Sequence, residues 1–296
     1  MVEAKRSLRG PSFWIAVALC AVMAYESQGL DWQGGAYEMF TVGFIPLAGG
    51  IFCAGVVAGS RDRRRGGTPC LAEEAALGPT ERAIARLLGL VPLVVLASIA
   101  VIAFAVGIRI EGGLWIGNRP GRTDRAVHGV AELLAPMLMF VVAAAAGVAL
   151  GRVVRRKAVG IAIGIVAFFV MTGMYWALQF PPVGYVSPVR TQPFSVDIDG
   201  PATDPTALPA DWLLDRPGDP SDEPDDRDWD RVLVSQSVAA WHDVYLLGLA
   251  LGAIGLAVRS RVGRRLILVG LMVAALGATG QAVMMPDGAT PNEVPQ

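Results

Sequence analysis

Charged side chains are scarce in this sequence: they make up 17% of the 296 residues, whereas hydrophobic residues make up 53%. A soluble globular domain carries about 25% charged residues, and the mean hydropathy here is +0.49. The formal net charge of −1 conceals a segregation, because apolar runs separate short arginine-rich segments from acidic, proline-rich ones. This composition excludes a soluble globular protein and predicts a polytopic membrane protein.

Cysteine, histidine and lysine are also rare. The chain has three cysteines, of which Cys20 and Cys53 lie within apolar runs, and two histidines, so it offers neither a disulfide framework nor a Cys/His zinc motif. The only lysines are Lys5 and Lys157, and neither belongs to a phosphate-binding loop of the form G-x-x-x-x-G-K-[ST]. No G-x-S-x-G or H-E-x-x-H motif occurs. We therefore expect no catalytic residue, metal site or cofactor site in this chain, and no nucleic-acid partner.

The apolar residues are grouped into seven runs that are long enough, or nearly so, to cross about 30 Å of hydrocarbon. They predict an all-α, polytopic transmembrane helical bundle of six to seven spans in a single transmembrane domain. No ionisable residue lies deep within a run, which disfavours transport driven by protons. Six G-x-x-x-G pairs predict close helix packing only weakly, because glycine is frequent throughout the chain. The runs cover residues 11–25, 39–60, 87–108, 133–150, 158–180, 239–258 and 266–285.

Lysine and arginine are distributed unequally between the two sides that these spans define. The segments on the side of the N-terminus hold 17 of them and the segments on the other side hold 8. Such residues accumulate in cytoplasmic loops. The sequence therefore predicts a multi-pass plasma-membrane protein with a cytoplasmic N-terminus and an extracytoplasmic C-terminus.

The longest connection, residues 181–238, is acidic and rich in proline. It carries 12 Asp or Glu against 4 Arg and contains 10 of the 20 prolines. We expect mostly irregular chain on the outer side, with a short helix from about Trp229 leading into the sixth span. A solvated loop and an outer lid both fit this composition. If the loop contributes little to folding, excision of residues 197–226 should be tolerated.

The inner loop at residues 61–86 has the signals of a short rigid helix. Thr68 suits an N-cap, a proline follows it, and Gly78 with Pro79 can end a helix of about nine residues. Thr80 can then cap a second helix that continues into the third span. The short helix could be one on which a motor domain acts, or it could be an ordinary surface helix. The candidate contact residues are Thr68, Leu71, Glu73, Glu74, Pro79, Glu81 and Arg82.

Three segments carry a resemblance to the permeases of ABC-2-type ABC transporters. They are residues 63–68 with 78–83 in the inner loop (RRRGGT and GPTERA), residues 147–152 closing span four (GVALGR), and residues 241–249 opening span six (WHDVYLLGL). The likeness extends over most of the chain, through short motifs. The usual permease of that family has six spans with both ends in the cytoplasm, whereas this chain has seven runs and a shortened segment before the first.

The resemblance implies that the inner loop carries a coupling helix docking on a separate ATP-binding subunit, which would bind ATP and Mg²⁺. It also implies a second permease, identical or homologous, and a place among membrane lipids. The resemblance also implies export, and the scarcity of polar residues in the spans favours an amphipathic or lipid-like substrate. Residues Trp241, His242, Asp243 and Tyr245 form either an interfacial anchor or an outer gate.

Two other functions remain open on this sequence. The chain could be a non-transporting membrane anchor or signalling protein whose acidic outer loop binds a partner. It could also be a membrane enzyme, for which only Trp241, His242 and Asp243 offer a polar cluster. Co-purification of an ATP-binding subunit would distinguish the first function from these two.

Overall fold

A computed structural model describes residues 2–27, 36–63, 78–115, 125–154, 156–177, 183–189, 194–196, 212–214, 231–285 and 289–290. The long elements in these ranges are helices, and the short strands lie between or after them. The helices are α1 (Val2–Leu8), α2 (Pro11–Ser27), α3 (Ala36–Gly43), α4 (Ile45–Gly59), α5 (Pro79–Ile110), α6 (Val130–Val153), α7 (Lys157–Ala177), α8 (Gln236–Val258) and α9 (Arg261–Met284). The strands are β1 (Leu114–Trp115), β2 (Arg125–Ala126), β3 (Phe194–Val196), β4 (Trp212–Leu214), β5 (Arg231–Ser235) and β6 (Ala289–Thr290).

Five helices among the described residues are long and apolar enough to cross a membrane, so this is a helical membrane protein. They comprise Phe40–Gly59, which joins α3 to α4, together with α5, α6, α8 and α9. The first and fifth of the seven predicted runs lie in α2 and α7, where the shorter apolar stretches are Pro11–Val22 and Ala158–Ala167. The helical bundle is thus confirmed, and the count of six to seven spans stays a prediction.

Two helix starts are explained by local sequence. The second predicted span is divided at Phe44 because Pro46 lacks the N–H that would continue the helical hydrogen bonding from α3 into α4. Helix α5 begins at Pro79, with Gly78 as its N-cap residue, and the Glu81 carboxylate accepts a hydrogen bond from the Gly78 N–H at 2.8 Å. The predicted cap at Thr80 is therefore wrong, because Gly78 and Glu81 already satisfy this helix end.

Helix α6 lies at the centre of the bundle and contacts α4, α5 and α8. Its approach to α4 is closest at four glycines, Gly55 and Gly59 on one helix and Gly147 and Gly151 on the other. A Cβ added at Gly55 would lie 2.8 Å from the carbonyl oxygen of Ala144, and one added at Gly59 would overlap the carbonyl of Val148. The backbones can meet only because side chains are missing here, so these two G-x-x-x-G pairs form a helix interface.

Helices α8 and α9 pack along each other in the same manner. A Cβ at Gly248 would overlap the backbone of Ala274, and one at Gly270 would lie 2.5 Å from the nitrogen of Gly252. Further along, Gly280 faces the indole ring of Trp241. By contrast, the faces of α5 and α9 that do not pack on other helices expose apolar side chains. Examples are Leu88 (64% exposed) and Leu268 (63% exposed). These faces suit contact with lipid.

The two ends of the bundle can be told apart by their contacts. We call the end that holds α1 the N-terminal face: there Arg61 contacts Glu3, and Arg152 contacts the carbonyl oxygen of Ala257. We call the opposite end the sheet face, because it carries the strands. There, Gln281 near the end of α9 donates to the carbonyl oxygen of Tyr185 at 3.3 Å.

The strands of the sheet face form two antiparallel sheets. Strands β1 and β2 pair with each other, and the larger sheet has the order β4-β5-β3-β6. The predicted short helix near Trp229 is wrong over residues 231–235, which form strand β5, and α8 begins only at Gln236. The sequence Arg-Val-Leu-Val-Ser is a short apolar run with two β-branched valines, which is compatible with a strand.

The C-terminal strand β6 belongs to the same sheet as the segment that was predicted to be irregular. Ser195 pairs with Thr290, and Val196 pairs with Ala289. Residues 289–290 therefore lie on the same side of the bundle as β3 and β5. This relationship does not depend on which side faces the cytoplasm.

Candidate functional site

The predicted coupling residues fall into two groups. Thr68, Leu71, Glu73 and Glu74 lie outside the described residues. Pro79, Glu81 and Arg82 occupy the first turn of α5, where Glu81 holds the helix start through its bond to Gly78. The structure therefore gives Glu81 a capping role and leaves a coupling role for these residues as a prediction.

Helix α1 connects the two ends of the inner loop. The carboxylate of Glu3 accepts a hydrogen bond from Arg6 at 3.1 Å and contacts Arg61, which follows α4. On its other side, Glu3 packs against α5: a Cβ added at Gly89 would lie 2.7 Å from the Cβ of Glu3. Arg86, one turn before Gly89, is also buried (7% exposed). One short helix thus joins the chain that enters the loop to the helix that leaves it.

A second set of polar side chains meets on the sheet face, where no functional residue was predicted. Glu132, in the first turn of α6, is 6% exposed and accepts hydrogen bonds from three other parts of the chain. The Tyr37 hydroxyl contacts both of its carboxylate oxygens at 2.8 Å, and the Gln236 amide donates to Oε2 at 2.6 Å. The Gly129 N–H donates to the same oxygen at 2.9 Å. The cluster ties α3 and α8 to the start of α6.

The position of Gln236 depends on the glycine beside it. A Cβ at Gly129 would overlap the side-chain amide of Gln236. Gly129 therefore serves both as the N-cap residue of α6 and as the space into which Gln236 fits. The capping pattern Gly-x-x-Glu is present in the sequence and occurs again at Gly78 and Glu81, so the cap was detectable. Tyr37 and Gln236 are 95 and 104 residues away from Glu132 in the sequence, so their contact with Glu132 was not detectable from any local pattern.

His128 lies beside this cluster between two aromatic rings. Its ring is stacked on Tyr37 at a centroid distance of 3.9 Å and on Phe40 at 4.2 Å. Because a carbonyl oxygen only accepts hydrogen bonds, the Nε2 atom, 3.0 Å from the carbonyl of Tyr37, carries the proton of the neutral ring. Burial lowers the pKa of His128 to about 4. The hydrogen bond to the Tyr37 carbonyl raises this pKa, but by less than burial lowers it.

The pKa of the Tyr37 phenol is shifted upward. The largest cause is burial, and the negative charge and hydrogen bond of Glu132 add to it. Tyr37 therefore stays protonated and remains a donor to the carboxylate. Tyr37 also packs with Ala126 and with Val234 of β5, so the polar cluster has an apolar cover provided by both sheets.

The predicted gate residues lie in the first turns of α8, and three of them are buried. His242 is 2% exposed, Asp243 is 7% exposed and Tyr245 is 8% exposed. The Tyr245 hydroxyl donates to the carbonyl oxygen of Val186 at 2.5 Å. Such burial differs from an interfacial belt, in which aromatic side chains face lipid headgroups. A gate role at these positions stays a prediction.

Asp243 is a buried carboxyl group within helix α8. Helix α8 starts at Gln236, so Asp243 is two turns inside it, at roughly 10 Å along the axis for a rise of 1.5 Å per residue. Its Oδ1 atom is buried and has no hydrogen-bond partner among the described residues. A buried, incompletely satisfied carboxyl group in a spanning helix is costly and is typical of functional positions in membrane proteins.

Among the described residues, no group of three or more His, Cys, Asp or Glu side chains is arranged to hold a metal ion. The sheet-face cluster is instead a set of donors around one carboxylate, which suits a structural clamp. No protein-family model, curated protein or solved structure matches this chain.

Proposed function

We propose that this chain is the transmembrane permease subunit of an ATP-driven exporter of the ABC-2 type. ATP would be hydrolysed, with Mg²⁺, by a separate ATP-binding subunit that contacts the inner loop. A second permease, identical or homologous, would complete the transport path. The chain would lie in the plasma membrane with its N-terminal face toward the cytoplasm, because that side carries most of the lysine and arginine.

The observation that carries this proposal is the junction of Glu3, Arg61 and Gly89. Both described ends of the inner loop contact α1, so a force applied to the loop acts on α4 and α5 together. Helices α4 and α5 are thus connected through packed contacts with α1 and not only through the loop between them. A coupling loop needs such a connection to transmit movement into the membrane.

The length of α5 supports the same function. Its 32 residues span about 48 Å at 1.5 Å per residue, which exceeds the roughly 30 Å of a hydrocarbon core. The first turns of the helix, which hold Arg82 and Arg86, therefore extend beyond the core on the N-terminal face. A continuous helix of this length would carry a displacement of the loop directly into the spanning region.

The chemistry of the bundle surfaces supports the proposed class of substrate. The described spans expose mainly aliphatic side chains, with buried polar groups confined to a few positions such as Asp243 and Gln281. An amphipathic or lipid-like molecule fits such surfaces better than an inorganic ion does. Export is the direction that the family resemblance implies.

The test is purification of the full-length chain from its native membrane in mild detergent. We expect an ATP-binding subunit to co-purify and, after reconstitution into liposomes, to hydrolyse ATP in a manner that depends on this chain. Glu73→Arg combined with Glu74→Arg should weaken that association, because charge reversal disturbs a polar contact. Full retention of the ATP-binding subunit with unchanged hydrolysis would contradict the coupling assignment.

A second variant separates docking from transmission. Glu3→Gln removes the charge that contacts Arg61, and we expect the complex to remain assembled while substrate-dependent ATP hydrolysis falls several-fold. Lys5→Gln is the matched control, since Lys5 is exposed on the same short helix. Equal ATP hydrolysis by the Glu3→Gln and Lys5→Gln complexes would mean that the contact between Glu3 and Arg61 does not transmit movement.

A membrane anchor or signalling protein remains the second candidate, and one observation favours it. The sheet face carries an ordered four-stranded sheet that includes the C-terminal strand β6. Such a sheet could present the acidic outer segment to a partner. If purification yields an extracytoplasmic partner and no ATP-binding subunit, this second function is the correct one.

A further inference from the structure

A basic groove lies at the turn between α8 and α9 on the N-terminal face. Its volume is about 400 Å³, and its lining includes Arg259, Arg261 and Arg264 together with the apolar side chains of Leu256 and Ile267. From this combination of guanidinium groups and apolar wall, we propose that the groove binds the headgroup of an anionic phospholipid. This inference is independent of the proposed transport function.

The turn itself is rigidly built. Arg259 ends α8 in the left-handed conformation, with φ at 50°, and its N–H donates to the carbonyl oxygen of Gly255 at 3.1 Å. Ser260 then caps α9 by accepting a hydrogen bond from the Gly263 N–H at 3.1 Å. The arginines flanking this turn are therefore held on fixed backbone, and the remaining free N–H groups of the α9 start add partial positive charge.

The charge of the groove is not balanced by nearby acidic residues in the sequence. No Asp or Glu occurs between Asp243 and Asp287, whereas four arginines occupy residues 259–265. The three lining arginines are exposed and can reach an anion. Guanidinium groups bind phosphate oxygens in a bidentate geometry, so a phosphodiester is a fitting ligand.

The face of α9 beyond the groove identifies the anion as part of a lipid. Leu268, Leu271 and Met272 follow Arg264 at spacings of four, seven and eight residues, which places all of them on one helix face. These three apolar side chains are 62 to 64% exposed. They lie roughly 6 to 12 Å deeper along the helix than Arg264, where acyl chains would pack.

The groove also lies at headgroup level. Helix α9 has 24 residues and spans about 36 Å, which exceeds the hydrocarbon thickness by a few ångströms. Its first turn, with Arg261 and Arg264, therefore reaches the headgroup region. Each basic residue near an anionic membrane surface attracts such lipids.

The experiment is native mass spectrometry of the purified full-length chain, titrated with phosphatidylglycerol or with phosphatidylcholine of the same acyl chains. We expect phosphatidylglycerol to bind at least about tenfold more tightly at one site. In the variant Arg259→Gln, Arg261→Gln, Arg264→Gln, this preference should disappear. The control variant Lys5→Gln, Arg9→Gln, Arg156→Gln removes three exposed positive charges elsewhere and should retain it.

Two outcomes would overturn the proposal. A triple variant that keeps the wild-type preference would place the lipid elsewhere, and displacement of the lipid by millimolar inorganic phosphate would make the groove a simple anion site. If the triple variant does not purify as a single species, Arg261→Gln and Arg264→Gln are measured separately. Each should then weaken phosphatidylglycerol binding by several-fold, and unchanged binding in both would reject the site.

Discussion

The hydroxyl group of Tyr37 donates to the carboxylate of Glu132 across 95 residues of sequence, with both carboxylate oxygens at 2.8 Å. Both residues are buried, at 1% and 6% exposure. Together with Gln236 they hold α3, α6 and α8 at one end of the bundle. Loss of this hydrogen bond should therefore change the free energy of unfolding measurably.

Tyr37→Phe should lower the free energy of unfolding by about 1 to 3 kcal/mol, because it removes one donor from a buried carboxylate. Thermal unfolding of the purified chain in detergent measures this change. In a double-mutant cycle with Glu132→Gln, the two effects should be non-additive. Additive effects would mean that the hydrogen bond does not couple the two residues.

His128 should make stability depend on pH. Its pKa is lowered from the ordinary 6.5 to about 4, chiefly by burial, so protonation favours the unfolded chain. The stabilisation is fully present above pH 6.5 and is lost as the pH falls from 6.5 toward 4. Unfolding temperatures measured across this range should decline more steeply for the wild type than for His128→Phe, which keeps an aromatic ring between Tyr37 and Phe40. Parallel pH profiles would exclude His128 as the cause.

Gly59→Ala should destabilise the interface of α4 and α6. The new methyl group overlaps the carbonyl oxygen of Val148, and overpacking of this kind costs about 1 to 3 kcal/mol. Gly107→Ala is the control, because a Cβ at Gly107 meets nothing within 4 Å. We expect Gly107→Ala to leave the unfolding temperature unchanged or slightly raised, since alanine favours helix. An equal loss in both variants would argue against close packing at Gly59.

A reporter that is active only in the cytoplasm should stay inactive when fused after Gln296. Pairing of β6 with β3 puts residues 289–290, six residues before Gln296, on the sheet face, and the arginine-rich N-terminal face is expected inside the cell. A second fusion within residues 197–211 should give the same result, because it lies between strands of the same sheet. Active reporter at both positions would reverse the orientation, and opposite signals would contradict the strand pairing.

Excision of residues 197–226 now has two different predictions. The sequence predicts a tolerated deletion, whereas the structure predicts a loss of stability because the deletion removes β4 and leaves β5 as an edge strand. Val234 of β5 packs on Tyr37, so the effect should reach the buried cluster. Excision of residues 216–226, which retains β4, is the matched control. An equal unfolding temperature for both deletions would favour the sequence-based prediction.

Each of the seven apolar runs contains helix, as the sequence predicts, although only five helices among the described residues are long enough to span a membrane. The bounds are less well predicted, because α5 begins at Pro79, eight residues before the predicted run. Runs of 15 to 23 apolar residues can satisfy their backbone in a membrane only as helices, so composition and spacing suffice there. The capping of α5 was misassigned to Thr80, because Thr80 and Gly78 are both acceptable caps and the choice depends on where Glu81 reaches. The G-x-x-x-G pairs gave a weak signal that became specific only when two of them faced each other.

Tertiary structure decided everything that joins distant parts of the chain. Glu132 is visible in the sequence as a helix-capping residue, yet its burial depends on Tyr37 and Gln236, which no local pattern connects to it. Strand β5 was expected to be part of a helix and became a strand because β3 and β4 supply its hydrogen-bond partners. The physical reason is the range of the interactions: helix formation depends on neighbours within four residues, whereas sheets, stacked rings and buried carboxylates depend on groups that only the folded bundle brings together.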